Sequence, residues 1–245
     1  MEQQGNNTLA GKQVIIFGGS SGIGLATAVA AAEEGALVTI VSGNQQRIDS
    51  AVQQIGKECK GYAADLSKEE HIKNFFAQAG HFDHMVYTAG ESLQLGNIGD
   101  VALETARQFF NVRYWGAFAA VKYGAPHIND GGSISLTSGL ASMRPGAGWS
   151  LGASICSAME GFSRAMAVEL APLRVNVVCP GLVKTNLWNS FTEEARENLF
   201  TSIGNGLPVK RIGEAADIAQ AYIYLMKQGF GTGQTIVVDG GASRV

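Results

Sequence analysis

Seven residues, Gly18-Gly19-Ser20-Ser21-Gly22-Ile23-Gly24, stand between an apolar run, Gln13–Phe17, and a segment with helical spacing, Ile23–Glu34. No other feature constrains the fold as much. Glycines let a chain leaving a strand turn tightly, and they bring backbone N–H groups and the positive end of a helix dipole against an anion such as a pyrophosphate. A glycine-rich run alone is a weak signal. The spacing Gly-x3-Gly-x-Gly and its place between a first strand and a first helix make it a dinucleotide cradle.

The rest of the chain alternates in the same way. Short runs rich in Val, Ile or aromatic residues fall at Gln13–Phe17, Ala36–Val41, Gly61–Ala64, Phe82–Tyr87, Ser133–Thr137, Arg174–Val178 and Thr235–Val238. Several are apolar without alternation, as suits strands covered on both faces. Between them, helical spacing predicts helices at Ile23–Glu34, Gln46–Ile55, Lys68–Gln78, Ala102–Tyr123, Ser150–Leu170 and Ala215–Lys227. Strand and helix in turn give an open parallel sheet of about seven strands, doubly wound, with helices on both faces. One domain spanning 1–245 is expected, since 245 residues that are 46% hydrophobic and 16% charged suffice for a single well-buried core. Residues 184–213 break the rhythm with an amphipathic stretch, Glu193–Ile203, between a Pro-Gly turn and a Gly-Leu-Pro segment, and are expected to form a lid over the crevice.

Composition removes several classes of function. A net charge of -3 without clustered Lys or Arg leaves no electrostatic footprint for nucleic acid or an anionic membrane. No apolar run approaches the ~20 residues that span a bilayer, and the polar segment Met1–Ala10 lacks the pattern of a secretory signal, so a cytoplasmic protein acting on a small molecule is expected. Cys59, Cys156 and Cys179 lack metal-ligand spacing and read as buried free thiols, with no metal site.

With these motifs in place, the chain resembles the short-chain dehydrogenase/reductase family nearly end to end, although Phe17 stands where the family's loop usually begins with Thr. The resemblance implies a Rossmann-type fold and a cofactor cradle formed by Gly18, Ser20, Ser21, Gly22, Ile23 and Gly24. Asp65-Leu66 looks like the adenine-contacting pair, and Tyr87-Thr88-Ala89-Gly90 looks like the family's Asn-Asn-Ala-Gly turn with both Asn residues replaced. Pro180-Gly181-Leu182-Val183-Lys184-Thr185 resembles the segment that holds the nicotinamide carboxamide, and Val238-Asp239-Gly240-Gly241 the closing strand and turn. Relatives commonly form dimers or tetramers through the helices here read at Ala102–Tyr123 and Ser150–Leu170, so a homodimer or homotetramer is expected.

The end of the second strand sets cofactor choice, because an acid there would hold the ribose 2′-OH of NAD and repel the extra phosphate of NADP. Val41-Ser42-Gly43-Asn44-Gln45-Gln46-Arg47 contains no acid. Arg47, with Ser42 and Asn44, would suit a phosphate, so NADP is favoured over NAD. The alternative for Arg47 is a solvated helix charge.

Catalysis is where the resemblance fails. The family uses a Tyr, its pKa lowered by a Lys four residues on, to exchange a proton with the substrate oxygen. Aligning Leu151-Gly152-Ala153-Ser154-Ile155 with that motif puts Leu151 at the Tyr and Ile155 at the Lys, and neither titrates. Arg113, three residues before Gly116, takes the place of an Asn. Ser138, thirteen residues before Leu151, retains the family's Ser, unless a one-residue gap puts Gly139 there instead. Arg113 would clamp a carboxylate, phosphate or oxyanion, or form an internal salt bridge. Glu160, nine residues beyond Leu151, reads as a salt-bridge or surface charge. Two functions remain: an atypical NADP(H)-dependent oxidoreductase acting on a small carbonyl or alcohol, with Ser138, Arg113, water or substrate replacing the tyrosine, or a nucleotide-binding protein of the same fold without redox turnover.

Overall fold

A computed structural model describes residues 8–189 and 191–245, so most of the polar segment read at Met1–Ala10 lies outside the described residues. Seven parallel strands, β1 (Gln13–Phe17), β2 (Leu37–Ser42), β3 (Lys60–Ala63), β4 (Phe82–Tyr87), β5 (Ile128–Thr137), β6 (Arg174–Pro180) and β9 (Thr235–Val238), form one sheet in the order β3-β2-β1-β4-β5-β6-β9. Winding proceeds outward from β1 in one direction and from β4 in the other. The strand order therefore reverses between β1 and β4, and open α/β sheets place ligands at that point, beyond the carboxyl ends of the strands.

Register in β1 explains the absence of alternation. Val14 and Ile16 face one side, packing with Ala28, Ala31, Ile48, Ile218 and Tyr222. Those residues belong to α1 (Gly22–Glu33), α2 (Gln45–Ile55) and α8 (Ala215–Lys227). Ile15 and Phe17 face the other, where α3 (Glu69–Ala79), α5 (Ala117–Gly124) and α6 (Ser150–Glu169) contribute Phe75, Phe76, Ala120, Met159 and Phe162. Both faces of the sheet are thus buried, and a strand buried on both faces gains nothing from polar residues at alternate positions.

One segment departs from the sequence reading and another adds detail to it. Ala102–Tyr123 is not one helix: α4 (Leu103–Gln108) ends before a π turn, Asn111–Gly116, and α5 then continues the path. In the π turn the Trp115 N–H reaches back five residues to the Phe110 carbonyl at 3.0 Å. Apolar spacing on either side is helical, and hence the sequence reads straight through. The excursion at 184–213 carries α7 (Glu193–Gly206) and is pinned at its ends by two short strands, β7 (Val183–Lys184) and β8 (Gly213–Glu214), which pair with each other. Trp188, Phe200, Leu207 and Ile212 give it an apolar cluster of its own.

Candidate active site

A cleft of about 890 Å³ opens at the β1/β4 switch point. Its floor is the glycine turn. Gly18 has φ +83° and a Cβ there would lie 2.6 Å from the Ala89 backbone nitrogen, while a Cβ on Gly24 would lie 2.3 Å from the Gly18 carbonyl oxygen. Only glycine allows the β1 turn and the β4 turn to come this close. Ser21, the N-cap of α1, makes no side-chain cap bond and the first turn contains no acid, which leaves the helix N–H groups and dipole for an anion. The cradle fits a dinucleotide pyrophosphate.

Behind that turn sits Phe17, in register with Tyr87 at the end of β4. The two rings stack at 5.6 Å between centroids, and the Tyr87 hydroxyl donates to the Val112 carbonyl at 2.6 Å in the π turn. Phe17 therefore serves the aromatic core rather than the loop. Thr88 replaces an amide side chain and donates to the Phe17 carbonyl at 3.0 Å, closing the two turns on each other.

Ser42, Gly43, Arg47, Asp65 and Leu66 line one end of the cleft. Asn44 does not. Its side chain accepts the Arg47 N–H at 2.9 Å as the N-cap of α2, which commits its oxygen to the helix and leaves its amide NH2 as the group a phosphate would meet. Ser20 donates to the Ser42 hydroxyl at 2.8 Å, and Asp65 accepts both the N–H and the hydroxyl of Ser67, contacts that hold its carboxyl below the ordinary value. Ala89, Gly90, Pro180, Gly181, Val183 and Thr185 line the middle, with Ser21, Gly22 and Ile23 opposite. Thr185 also caps a short helical turn by accepting the Leu187 N–H at 3.4 Å.

At the other end the helix α6 brings one of the two aligned positions to the cleft. Gly152, Ile155 and Cys156 line the cleft, with Trp149 one turn before them, and Leu151 is not among the lining residues. Ile155, aligned with the Lys, faces the cleft, and Gly152 and Cys156 form a second pair four apart beside it. A Cβ on Gly139 would lie 3.1 Å from the Cys156 sulfur, which brings Gly139, Gly152 and Cys156 to one wall. Neither pair supplies a titrating phenol or amine. Among the described residues, no Tyr, Lys or His lines the cleft. Cys156 is not the buried bystander expected of it, but burial pushes its thiol up to about 11, only partly countered by Arg113, and leaves it un-ionised at neutral pH.

Ser138 lines the cleft with its hydroxyl turned away. It donates to Glu160 Oε1 at 2.7 Å, and Ser142 donates to the same oxygen at 2.6 Å. Glu160 is therefore no surface charge. It is a half-buried acceptor that fastens the loop after β5 to α6, and Glu160 lies one turn beyond Cys156 on the same face of the helix.

Arg113 does enter the cleft, carried by the π turn, and it is paired. Glu91, the residue after Gly90, accepts the N–H of Val112 at 2.5 Å and that of Arg113 at 3.2 Å. Arg113 Nη2 donates to the Glu91 carbonyl oxygen, and its Nε, buried without a hydrogen bond, lies 3.8 Å from the Glu91 carboxylate. The guanidinium stands 5.3 Å from the centre of the Phe109 ring. Burial draws its pKa below the ordinary value and Glu91 opposes that shift, so it stays charged. Among the described residues Nη1 makes no hydrogen bond. Sequence reading missed Glu91, although a lone acid directly after Ala89-Gly90 at the switch point was a usable signal.

Known proteins agree with this architecture. Residues 18–243 match the family model described as Enoyl-(Acyl carrier protein) reductase. A short-chain dehydrogenase/reductase of Gibberella fujikuroi, fsr5, is 33% identical over 95% of each chain. The chain belongs to the short-chain dehydrogenase/reductase family. A small-chain dehydrogenase solved in complex with NADPH shares 35% identity with this dehydrogenase/reductase at a TM-score of 0.85, covering 95% of it and 99% of the solved chain. The MalC reductase/Diels-Alderase of Malbranchea aurantiaca superposes at a TM-score of 0.88 with 29% identity, over 95% and 96% of the two chains. Binding of an NAD(P)-type cofactor is supported at this level, and among the described residues no helix is long and apolar enough to cross a membrane.

Proposed function

We propose that this chain is an NADP(H)-dependent oxidoreductase that reduces a carbonyl compound with Arg113, rather than a tyrosine, attending the substrate oxygen. The observation that carries the reading is Arg113 Nη1, a charged donor without a hydrogen bond among the described residues, in a cleft with no Tyr, Lys or His. Gly18–Gly24 would hold the pyrophosphate, Asp65 and Leu66 the adenine end, and Pro180–Thr185 the nicotinamide end. NADP(H) is preferred because Ser42, Gly43 and Arg47 offer a 2′-phosphate a hydroxyl, room and a cation, with no carboxylate at the end of β2 to repel it. When bound, the nicotinamide supplies hydride.

Arg113 would donate a hydrogen bond to the carbonyl oxygen and stabilise negative charge as it develops there. Because a guanidinium keeps its proton, water supplies the one that completes the alcohol. Ser138 is poorly placed for that role, as its hydroxyl is given to Glu160. The segment 184–213, pinned by β7 and β8, would cover the substrate as a lid. The absence of a proton-donating side chain also favours a second reading, a nucleotide-binding protein without turnover.

Titration with NADPH and NADH, read by nicotinamide fluorescence, followed by turnover on a panel of ketones and aldehydes, separates the two. Turnover is expected ~10²–10⁴-fold below that of an enzyme with a tyrosine acid, and Arg113→Met should abolish what remains. Arg47→Ala should weaken NADPH by about tenfold and leave NADH unchanged. Equal loss for both cofactors would refute the phosphate assignment, and full activity in Arg113→Met would refute the role of the guanidinium.

A further inference from the structure

We propose that Glu91 is a specificity-determining residue: by neutralising Arg113 and fixing the π turn, it makes the cleft select neutral carbonyl compounds over their carboxylate-bearing counterparts. This inference rests on the proposed reductase function. An unpaired guanidinium in this cleft would attract any anion of suitable size, because a charge removed from water needs a compensating partner. Glu91 is that partner. Its carboxylate lies 3.8 Å from Arg113 Nε, the two side chains are only 26% and 23% exposed, and both line the cleft.

The same carboxylate is also structural, in a way that ties the two roles together. A π turn leaves N–H groups near its start without the usual i−4 acceptors, and Glu91 takes two of them, from Val112 and Arg113. Both Glu91 oxygens are engaged by backbone donors, which fixes the orientation of the carboxylate beside Arg113. What remains without a partner is Nη1, a strong donor on a guanidinium whose charge Glu91 balances. Such a group suits a carbonyl oxygen, or the partial charge on it in the transition state, better than a full anion whose arrival would leave the site one charge in excess. Close by, Gly90 leaves no slack: a Cβ there would lie 2.6 Å from Arg113 Cζ, so the guanidinium is held against the backbone of the β4 turn.

Around Arg113 the walls are apolar: Leu93, Leu140, Trp149, Leu187, Ile203 and Leu207 all line the cleft. The other cation at this end, Arg144, is solvent-exposed, so its charge is screened and holds an anion only weakly. A substrate of neutral, largely apolar body with one carbonyl is the class that matches.

The test compares acetophenone with benzoate, a matched neutral and anionic pair, on the NADPH-loaded protein. Binding is read by quenching of intrinsic tryptophan fluorescence, since Trp149 and Trp188 line the cleft, and turnover of acetophenone is followed in parallel. Wild type should favour acetophenone. Glu91→Gln, which keeps an acceptor for one backbone N–H but removes the charge, should raise benzoate affinity relative to acetophenone by at least about tenfold. The double variant Glu91→Gln/Arg113→Met should lose that gain. A purely structural role would weaken both ligands together, and an unchanged ratio in a variant that still binds NADPH would overturn the proposal. If Glu91→Gln does not fold, wild type against Arg113→Met decides: tighter binding of benzoate than of acetophenone by wild type, lost in Arg113→Met, would overturn it equally. Failure of wild type to bind NADPH or to turn over any ketone is a different result, which sinks the reductase reading and leaves the ligand ratio to judge Glu91.

Discussion

Replacing Glu160 with Leu tests whether a carboxylate that the sequence presents as a helix charge in fact fastens the cleft wall. Two hydroxyls donate to one of its oxygens, from Ser138 at 2.7 Å and Ser142 at 2.6 Å. A hydrogen bond to a charged acceptor contributes about 1.5–3 kcal/mol, and a neutral one about 0.5–1.5 kcal/mol. Each serine has a carbonyl to fall back on, Cys156 at 3.2 Å and Gly139 at 3.1 Å, so the variant exchanges two strong bonds for two ordinary ones. That costs about 2–3 kcal/mol. Relief of the carboxylate's own partial burial returns about 1 kcal/mol, which leaves a net loss of about 1–2 kcal/mol. In a chain of this size the melting temperature should fall by roughly 2–8 °C. Glu160→Gln also exchanges two charge-assisted bonds for two neutral ones and should cost about as much. Urea denaturation at constant m checks both, and a cycle with Ser138→Ala isolates the contact, since that substitution should cost less in the Glu160→Leu variant than in wild type. Wild-type stability in Glu160→Leu or in Glu160→Gln would refute the reasoning.

Gly24→Ala puts a Cβ 2.3 Å from the Gly18 carbonyl, a backbone atom that cannot give way, so overpacking of about 1–3 kcal/mol should outweigh the roughly 1 kcal/mol gained in helix propensity. Gly22→Ala meets nothing closer than 3.5 Å and bears only the strain of φ +52°, so it should be the more stable of the two by thermal melting; the reverse order would refute the cradle geometry. Burial of His84 against Ser133, at 2.9 Å, holds its imidazole at about 4, below the ordinary 6.5. The unfolded chain therefore takes up a proton below pH 6.5 that the native protein refuses until about 4, and stability should fall by up to about 3 kcal/mol between those values, with no contribution above them. A denaturation series from pH 8 to 4 checks it, and His84→Gln should flatten that part of the curve.

The parts that could be read from the sequence are those whose physical requirement is local. Gly18–Gly24 announces itself because only glycine tolerates the turn, and strands such as β1 announce themselves because both faces are buried. Asn44 was legible only in part, because its oxygen also caps α2 by accepting the Arg47 N–H that follows it. The break in Ala102–Tyr123 was illegible for the opposite reason: Glu91, which takes up the N–H groups of the π turn, lies 21 residues before Val112. Those contacts join separate elements, and no periodicity encodes them.

Phe17, Tyr87 and Val112 form a short rigid spine: ring on ring, then hydroxyl to carbonyl. One end carries the glycine turn that cradles the dinucleotide, and the other carries the π turn with Arg113. The dinucleotide and the proposed carbonyl substrate would therefore address a single mechanical unit from opposite ends, and whichever arrived first would set the geometry met by the second. Thermodynamic linkage makes the effect reciprocal. By whatever factor the dinucleotide changes the affinity for the carbonyl compound, the carbonyl compound changes the affinity for the dinucleotide by the same factor, and Tyr87→Phe, which cuts the spine at its single hydrogen bond, draws that factor toward one.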